Sequence, residues 1–296
     1  MVNDKDIRER ISSISETMKI TKAMKLVSAT ILKEARNQLK RTLPYFGRIE
    51  NAIADILSHD IYSENIYFDR RKGKENRKSA YVIMTGDKGL CGPYNNNIFK
   101  YAERYLKRDR DPVLIVCGHS GQEYYGKSDY EIIEDFFYPI YKPTVYRARE
   151  MQERIMELFR EGRVDNVYLI YTMLKGSFTL KLRARRLLPL TLRAVRKESG
   201  AKKKTGGSVD DKLVYEPSIK EVFDVIVPKY IKGILYFALV EAFTSEQCAR
   251  MTAMESATAN AEEILKKLKL AHNRKRQNSI TAEISEISAG AEALEG

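Results

Sequence analysis

Residues 249–272, ARMTAMESATANAEEILKKLKLAH, decide the fold. Apolar and small side chains recur there at alternating steps of three and four residues, which is the spacing of a heptad seam. The seam positions are Met251, Met254, Thr258, Ala261, Leu265, Leu268 and His272. Between Gly233 and Gly290 the chain has neither proline nor glycine, so at ~1.5 Å per residue the pattern predicts a helix of about 80 to 90 Å. Such a helix cannot bury its seam alone and needs a partner helix.

The N-terminal segment, from Asp4 to about Leu57, is the only other stretch of comparable character. Its stripe of steps of three or four comprises Ile7, Ile11, Ile14, Met18, Thr21, Met24, Val27, Ile31, Ala35 and Leu39. We therefore expect the two ends of the chain to form a long antiparallel coiled coil. Pro44 and Gly47 predict a kink or a break within the first helix, because proline removes a backbone donor and clashes with the preceding turn.

The return helix is expected to begin at Pro228, since proline is favoured in the first turn of a helix. Ser218, with Glu221 three residues later, predicts the capped start of a separate, shorter helix before it.

The middle of the chain alternates between short apolar runs and helical patterns. The strand candidates are Tyr81–Met84, Val113–Cys117, Tyr130–Phe137, Val167–Met173 and Thr179–Leu188, and the helix candidates are 97–107 and 144–161. This alternation predicts a Rossmann-like α/β domain with a mainly parallel sheet of about five strands. The predicted organisation is a discontinuous shaft at 1–60 and 214–296, a central domain at 78–192 and a flexible loop at 193–213, which is rich in Gly and Lys.

Composition narrows the classes of protein to consider. The formal charge of +12 indicates acidic partners, and nucleic acid, anionic lipid or an acidic protein surface would each satisfy it. The chain contains no run of ~18 apolar residues that could span a bilayer, and its N-terminus lacks the apolar core of a signal peptide. The three cysteines fit neither a redox nor a zinc motif, and the three histidines are scattered, so we expect reduced thiols, a cytosolic compartment and no metal site.

Residues 85–97, TGDKGLCGPYNNN, form a glycine-rich turn between a predicted strand and a predicted helix, where phosphate-binding folds hold their ligand. The glycines are three residues apart, which matches neither GxGxxG nor a P-loop. Glycine is also needed in such turns simply for positive φ. The turn is therefore better interpreted as a packing or contact loop. Its candidate residues are Asp87, Gly89, Leu90, Cys91 and Gly92.

A polar segment, HNRKRQNS at 272–279, interrupts the C-terminal seam before Ile280, Ile284 and Ile287 resume an apolar stripe. A charge run on a helix is usually a solvated face. Here the added amide and hydroxyl side chains favour a binding surface, and the lack of interleaved aromatic residues or a known reading fold favours a protein partner over nucleic acid. No arrangement of side chains in the sequence predicts catalysis.

Four blocks of sequence resemble the gamma subunit of the F-type ATP synthase. They are ITKAMKL at 20–26, DKGLCGPYN at 87–95, YEPS at 215–218, and residues 245–294 with ARMTAMESATANA, NRKRQNSIT and EISEISAGAEAL. The blocks lie in the family's order and at its spacing across nearly the whole chain. Departures from the usual pattern at Gln247 and Ala259 put in doubt any polar contact at those two positions.

The resemblance implies a non-catalytic rotor shaft that binds no cofactor. In this family the shaft couples ion-driven rotation of a membrane ring of c subunits to the catalytic cycle of the beta subunits. The implied partners are the alpha, beta and epsilon subunits and the c ring, with no nucleic acid and no small-molecule substrate. The implied location is peripheral, at the cytoplasmic face of the membrane. The loop at 197–212 has no cysteine, so no thiol switch is expected.

The resemblance also assigns residues. Arg276 and Gln277, with Thr281, Glu283 and Glu286, match the region that contacts loops of the beta subunit. Met24, with Lys25 beside it, matches the neck of the shaft, and Arg250 matches an arginine that supports coupling.

Two other classes of function remain open from the residues alone. One is an enzyme that binds a nucleotide or phosphate in the Rossmann-like core, and the other is a nucleic-acid-binding coiled coil. Neither explains the polar interruption at 272–279.

Overall fold

A computed structural model describes residues 4–58, 66–68, 77–133, 139–176, 178–190 and 219–295. The elements in chain order are α1 (Asp4–Ser58), β1 (Ser79–Met84), α2 (Tyr94–Leu106), β2 (Val113–Cys117), α3 (His119–Tyr125), β3 (Glu131–Ile132), α4 (Val145–Arg160), β4 (Asn166–Lys175), β5 (Thr179–Leu188) and α5 (Ile219–Glu295). They form two compact units. The first comprises α1 up to Ala29 and α5 from Arg250, and the second comprises Thr30–Ala249. The predicted loop at 193–213 lies outside the described residues.

The first unit is an antiparallel helix pair. As the residue number on α1 falls from Lys25 to Arg8, the number of its partner on α5 rises from Glu255 to His272. The predicted seam is confirmed: its α5 positions from Met251 to His272 are buried or half-buried, and so are its α1 positions from Ile7 to Met24. One seam position was wrong. Val27 is 58% exposed, and Ser28 takes the buried place beside it.

The second unit is built around a five-stranded sheet in the order β3-β2-β1-β4-β5. The first four strands are parallel, and β5 is antiparallel to β4, which confirms the mainly parallel sheet. The inner strands β1 and β2 are buried along their whole length. This explains why both are continuous apolar runs in the sequence.

The two faces of the sheet bury separate cores. Along β1, Ala80, Val82 and Met84 face a core that includes α4 and parts of both long helices. Tyr81 and Ile83 face the opposite core, which is formed with α2 and α3. Alternate side chains of a strand point to opposite faces, so the sheet is a layer between helices, as in doubly wound folds.

In its middle section, from Gly233 to Cys248, α5 is buried nearly all the way round. Every residue from Gly233 to Cys248 is buried except the half-buried Phe237. A helix that is apolar on all sides needs such an environment. The apolar run at 233–243 is therefore a core helix, and none of the helices in the described part of the chain has the length and apolarity of a bilayer-spanning segment.

The prediction that a helix begins at Pro228 was wrong, and α1 is not broken at Pro44. Pro228 lies inside α5, which begins at Ile219, and Pro44 lies inside α1, so neither a separate short helix nor a break is present. Proline costs a helix interior about 3 kcal/mol. Around Pro228 the helix packs Phe223 and Val227 into the core, both almost completely buried, and such packing can offset a cost of this size.

Candidate interaction site

The C-terminal stretch of α5 leaves the helix pair and lies open to solvent. Every residue from Arg276 to Ala289 is exposed, whereas one turn earlier His272 still accepts a hydrogen bond from Nε of Arg8 at 3.2 Å. We call residues 276–289 the tip. The five residues that the resemblance assigned to beta-subunit contact all lie in it: Arg276, Gln277, Thr281, Glu283 and Glu286.

The tip carries an apolar stripe with polar borders. At ~100° per residue, Ile280, Ile284 and Ile287 lie within about 60° of one another on the helix surface. Arg276 falls on one border of this stripe and Gln277 on the other, with their respective neighbours Glu283 and Thr281 close by. The three isoleucines are 47%, 59% and 73% exposed. A row of large apolar side chains left in water is typical of a binding surface.

The tip is helical although all of its residues are exposed, and two side-chain hydrogen bonds within the helix support it. The hydroxyl of Thr281 donates to the carbonyl of Gln277 at 2.9 Å, and the hydroxyl of Ser285 donates to the carbonyl of Thr281 at 2.9 Å. Both hydroxyls therefore bond within their own helix. The other exposed side chains of the stripe and of the assigned region are the isoleucines, the guanidinium and amide at 276 and 277, and the two carboxylates.

The neck residues Met24, Lys25 and Arg250 lie in the same unit, at the end remote from the tip, since Arg250 is the first residue that α5 contributes to it. Met24 is half-buried, and Arg250 is only 7% exposed. The ammonium of Lys25 forms an ion pair with Glu255 of α5 at 2.7 Å, and Lys22 does the same with Glu262. Ion pairs this exposed contribute only about 0 to 1 kcal/mol each, so they fix the partners of the lysines loosely.

The seam also contains one buried polar layer. The hydroxyl of Thr258 lies 2.9 Å from the hydroxyl of Thr21, and both side chains are about 8% exposed. Each threonine can also donate to a carbonyl of its own helix, Met254 and Met18 respectively. Both hydroxyls are therefore satisfied where an apolar pair would otherwise stand.

The strand-to-helix turn at 85–92 is held by Asp87. Its carboxylate accepts hydrogen bonds from the backbone N–H of His119 at 3.2 Å and of Tyr141 at 2.7 Å, which joins three loops at one edge of the sheet. Leu90 has a φ of 61° and a side chain 63% exposed. A leucine in this conformation is strained, so the turn is rigidly specified and presents an apolar side chain outward.

The glycines of the turn serve different purposes. Gly92 has a φ of 59°, the backbone conformation that was predicted to require glycine. Gly86 is required for closeness: a Cβ there would lie 3.1 Å from Oδ1 of Asn95 and 3.1 Å from Cδ of Glu246. Gly89 has neither constraint, so the spacing of three residues is not a phosphate-binding signature.

The crevice where this fold class usually binds nucleotides is filled by α5. From β1 the sheet grows through β2 and β3 on one side and then through β4 and β5 on the other, so the switch point of the strand order lies between β1 and β4. Ligands of doubly wound folds bind beyond the carboxyl ends of the strands at this point. Here Glu241, Ser245 and Glu246, each no more than 5% exposed, occupy that place. The hydroxyl of Tyr94, at the start of α2, donates to the carbonyl of Ala242 at 2.9 Å. Protein side chains thus take the position of a ligand.

Glu241 is the most unusual of these groups, and sequence reasoning missed it as a site residue. One carboxylate oxygen accepts from the backbone N–H of Leu174 at 2.9 Å. Burial raises the pKa of the Glu241 carboxyl, and this outweighs the lowering by that hydrogen bond and by the guanidinium groups of Arg183 and Arg36. The available signal was a pair of polar residues four apart, 241 and 245, at the C-terminal end of an apolar run.

The described residues offer little for bond-making chemistry. They contain no group of three or more His, Cys, Asp or Glu side chains placed to hold a metal ion. All three cysteines are free and buried. Burial, together with the charge of Asp87, raises the pKa of the Cys117 thiol to about 12, so this thiol stays protonated and unreactive at neutral pH.

Comparison with known proteins gives one consistent family. A family model described as ATP synthase matches residues 3–294. An ATP synthase gamma chain from Ruminiclostridium cellulolyticum is 48% identical over 294 residues, covering 99% of each chain. One from Acetivibrio thermocellus is 45% identical over 294 residues, covering 99% of this chain and 100% of the relative. A gamma chain named as sodium ion specific, from Acetobacterium woodii, is 36% identical over 302 residues, covering 99% of both.

Solved structures with a similar fold come from mitochondrial ATP synthases. A chain of the Euglena gracilis mitochondrial ATP synthase, from an assembly of OSCP, F1 and c-ring in rotational state 3, matches with a TM-score of 0.66 at 17% identity, covering 98% of this chain and 94% of that one. A chain from the central stalk and c-ring of the Tetrahymena thermophila enzyme matches with a TM-score of 0.57 at 22% identity, covering 80% and 99%. At these identities the likeness supports the fold.

Proposed function

The chain belongs to the gamma-chain family of ATP synthases, and on this premise we propose that its tip and neck are the surfaces through which it drives the catalytic subunits. Members of this family are non-catalytic subunits of the central stalk. The proposed shaft comprises residues 1–60 and 214–296, with 78–192 as the central domain. The proposed partners are the alpha and beta subunits around the shaft, with epsilon and the c ring, and the proposed location is the cytoplasmic face of the membrane.

One observation carries the proposal for the tip: a helix that is exposed on all sides and keeps an apolar stripe. Residues 276–289 would gain nothing in the isolated chain from three neighbouring isoleucines in water. Surrounded by a ring of subunits, the stripe would be shielded from water, while Arg276 and Gln277 would bond to loops of the beta subunit. Apolar contacts have little directional preference, which suits a surface that must turn against its surroundings.

At the neck, weak contacts suit repeated making and breaking. The lysines at 22 and 25 already pair with carboxylates across the seam at 2.7 Å, and both pairs are exposed. Exchanging such a partner for an acidic group on the beta subunit would change the free energy by no more than about 1 kcal/mol. Met24 between them supplies a flexible apolar contact.

The contacts must act together to switch a catalytic subunit. Moving a two-state equilibrium from mostly open to mostly closed needs a differential interaction of about 5.5 kcal/mol. A single exposed ion pair is several times too weak. The combined contribution of the tip, the neck and steric exclusion by an asymmetric shaft would supply the required difference.

Two experiments test this function. The chain should copurify with alpha, beta and epsilon subunits in an ATPase-active particle, and failure to do so would contradict its place in the complex. Replacing Arg276 and Gln277 together by alanine should leave the isolated chain folded and reduce the ATPase turnover of the assembled particle. The matched control is Lys269→Ala with Asn273→Ala, which removes the same two kinds of group from exposed positions of the same helix. Equal turnover in the two double variants would contradict the assigned contact.

A further inference from the structure

Strand β4 extends beyond the end of its neighbour β1, and α5 supplies the missing hydrogen-bond partners. The register between the two strands ends at the pair Ile83 and Ile170. Two and four residues further along β4, the carbonyl of Thr172 accepts from the hydroxyl of Ser245 at 3.1 Å, and the N–H of Leu174 donates to the carboxylate of Glu241 at 2.9 Å. Two side chains of the helix therefore continue the hydrogen bonding that β1 leaves off.

We propose that Glu241 and Ser245 form a torsional lock, which fixes the rotational position of α5 on the sheet so that torque on the helix is passed to the central domain. The inference rests on the proposed rotor function and assigns a positioning role to two residues in it. Neither residue touches a reacting group.

The spacing of the two bonds explains why they act as a lock. Residues four apart on a helix are separated by ~6 Å along its axis, and residues two apart on a strand by ~6.6 Å. The pair on α5 therefore matches the pair on β4 in length as well as in polarity. Rotation of the helix by one residue, ~100°, would withdraw both side chains at once. Glu241 and Ser245 are at most 5% exposed, so water could not replace the lost bonds without opening the core.

Neighbouring contacts add to the lock from the other side of the crevice. The bond from the hydroxyl of Tyr94 to the carbonyl of Ala242 joins α5 to the start of α2. Glu246 lies against Gly86, where a Cβ would come within 3.1 Å of its carboxyl carbon. The helix is thus held against both β4 and the turn after β1, by groups that require one orientation.

The test uses the full chain assembled into the complete membrane enzyme. ATP-driven ion pumping and ATPase rate are measured together, and their ratio is the coupling. In the Glu241→Ala and Ser245→Ala double variant, the catalytic head should still turn the helix while the domain lags, so ATPase should persist and the coupling should fall. Amide exchange of Leu174 in the isolated chain should become about two- to tenfold faster, as expected for loss of a hydrogen bond.

Two matched variants separate the lock from general destabilisation. Thr244→Val removes a buried hydroxyl one residue away that donates to the carbonyl of Val240 in the same helix at 2.7 Å, and it should keep wild-type coupling. Glu241→Gln keeps an oxygen that can accept from Leu174, and it should restore most of the coupling and the slow exchange.

The outcomes are distinguishable. Unchanged coupling in the double variant, or an equal loss in Thr244→Val, would overturn the lock. If the double variant does not assemble, Ser245→Ala alone decides by the same ratio. If the wild-type chain does not assemble or support pumping, the proposed function fails instead.

Discussion

The sharpest prediction concerns the apolar stripe of the tip. Replacing Ile280, Ile284 and Ile287 together by glutamine removes the stripe while keeping a residue of good helix propensity at each position. Their exposed fractions, 47%, 59% and 73%, amount to rather less than two whole isoleucine side chains in water. Full burial of one such side chain is worth about 1.5 to 3 kcal/mol, so shielding the stripe in the complex is worth about 3 to 5 kcal/mol.

In the isolated chain the same substitutions should change the free energy of unfolding by less than about 0.5 kcal/mol, because the side chains are exposed before and after. Binding to gamma-free particles of alpha and beta subunits should weaken by up to about a hundredfold to three thousandfold, since 1.4 kcal/mol corresponds to a factor of ten. Ordering of side chains on association also costs free energy, so this range is an upper limit.

The assay is titration of fluorescently labelled chain into those particles, with thermal unfolding of the free chain measured in parallel. The control is a triple glutamine variant at Asn278, Ala282 and Ser285, which lie on the opposite side of the tip and are also exposed. A loss of affinity confined to the isoleucine variant supports the reasoning. Equal affinities for the two triple variants would refute it.

Three further outcomes follow from the structure. Met24→Lys places a further cation beside Lys22 and Lys25, on a half-buried position, so ion pumping per ATP should fall in the assembled enzyme. Unchanged coupling would show that the neck is unimportant. A double-mutant cycle of Thr21→Val and Thr258→Val, measured by denaturant unfolding, should give a coupling energy of only about 0.5 to 1 kcal/mol, because each hydroxyl can still donate to a carbonyl of its own helix. A value near zero would mean that the cross-helix bond is not formed. The raised pKa of Glu241 means that its protonated form favours the fold, so its contribution to stability is fully present below the ordinary pKa of 4.5 and is lost as pH rises through the higher folded value. Relative to Glu241→Gln, the wild type should therefore lose stability on going from pH 4 to pH 7. Parallel pH profiles of the two proteins would contradict this.

The helix pair was predictable because its signal is periodic and local. Steps of three and four residues place side chains on one stripe whatever their neighbours are, so the buried positions from Met251 to His272 could be identified individually. The prediction for Val27 was wrong because the apolar stripe shifts gradually around the helix, so that either of two adjacent residues can occupy the next seam position. The small residue Ser28 took it.

The prolines show where local rules lose to packing. From sequence alone, Pro228 is a natural first residue of a helix, and Pro44 a natural break. In the structure both lie within continuous helices. The deciding contribution comes from core contacts on either side of each proline, such as those of Phe223 in α5 and Ile53 in α1, and these depend on segments far away in the chain. Helix propensity describes an isolated helix, whereas these helices are stabilised by packing against the rest of the second unit.

The filled crevice could not be predicted for a related reason. The strand-to-helix turn at 85–92 has the position of a ligand site in its fold class, and its glycine spacing argued only weakly against that role. The crevice is occupied by a segment some 150 residues away, at 241–246, whose four polar residues follow the apolar run at 233–240 and carry no local sign of a contact with β4. Glu241 and Ser245 form hydrogen bonds to β4, and in the proposed lock these bonds give the helix one orientation on the sheet. The place that a nucleotide takes in other folds of this class is here filled by side chains of α5.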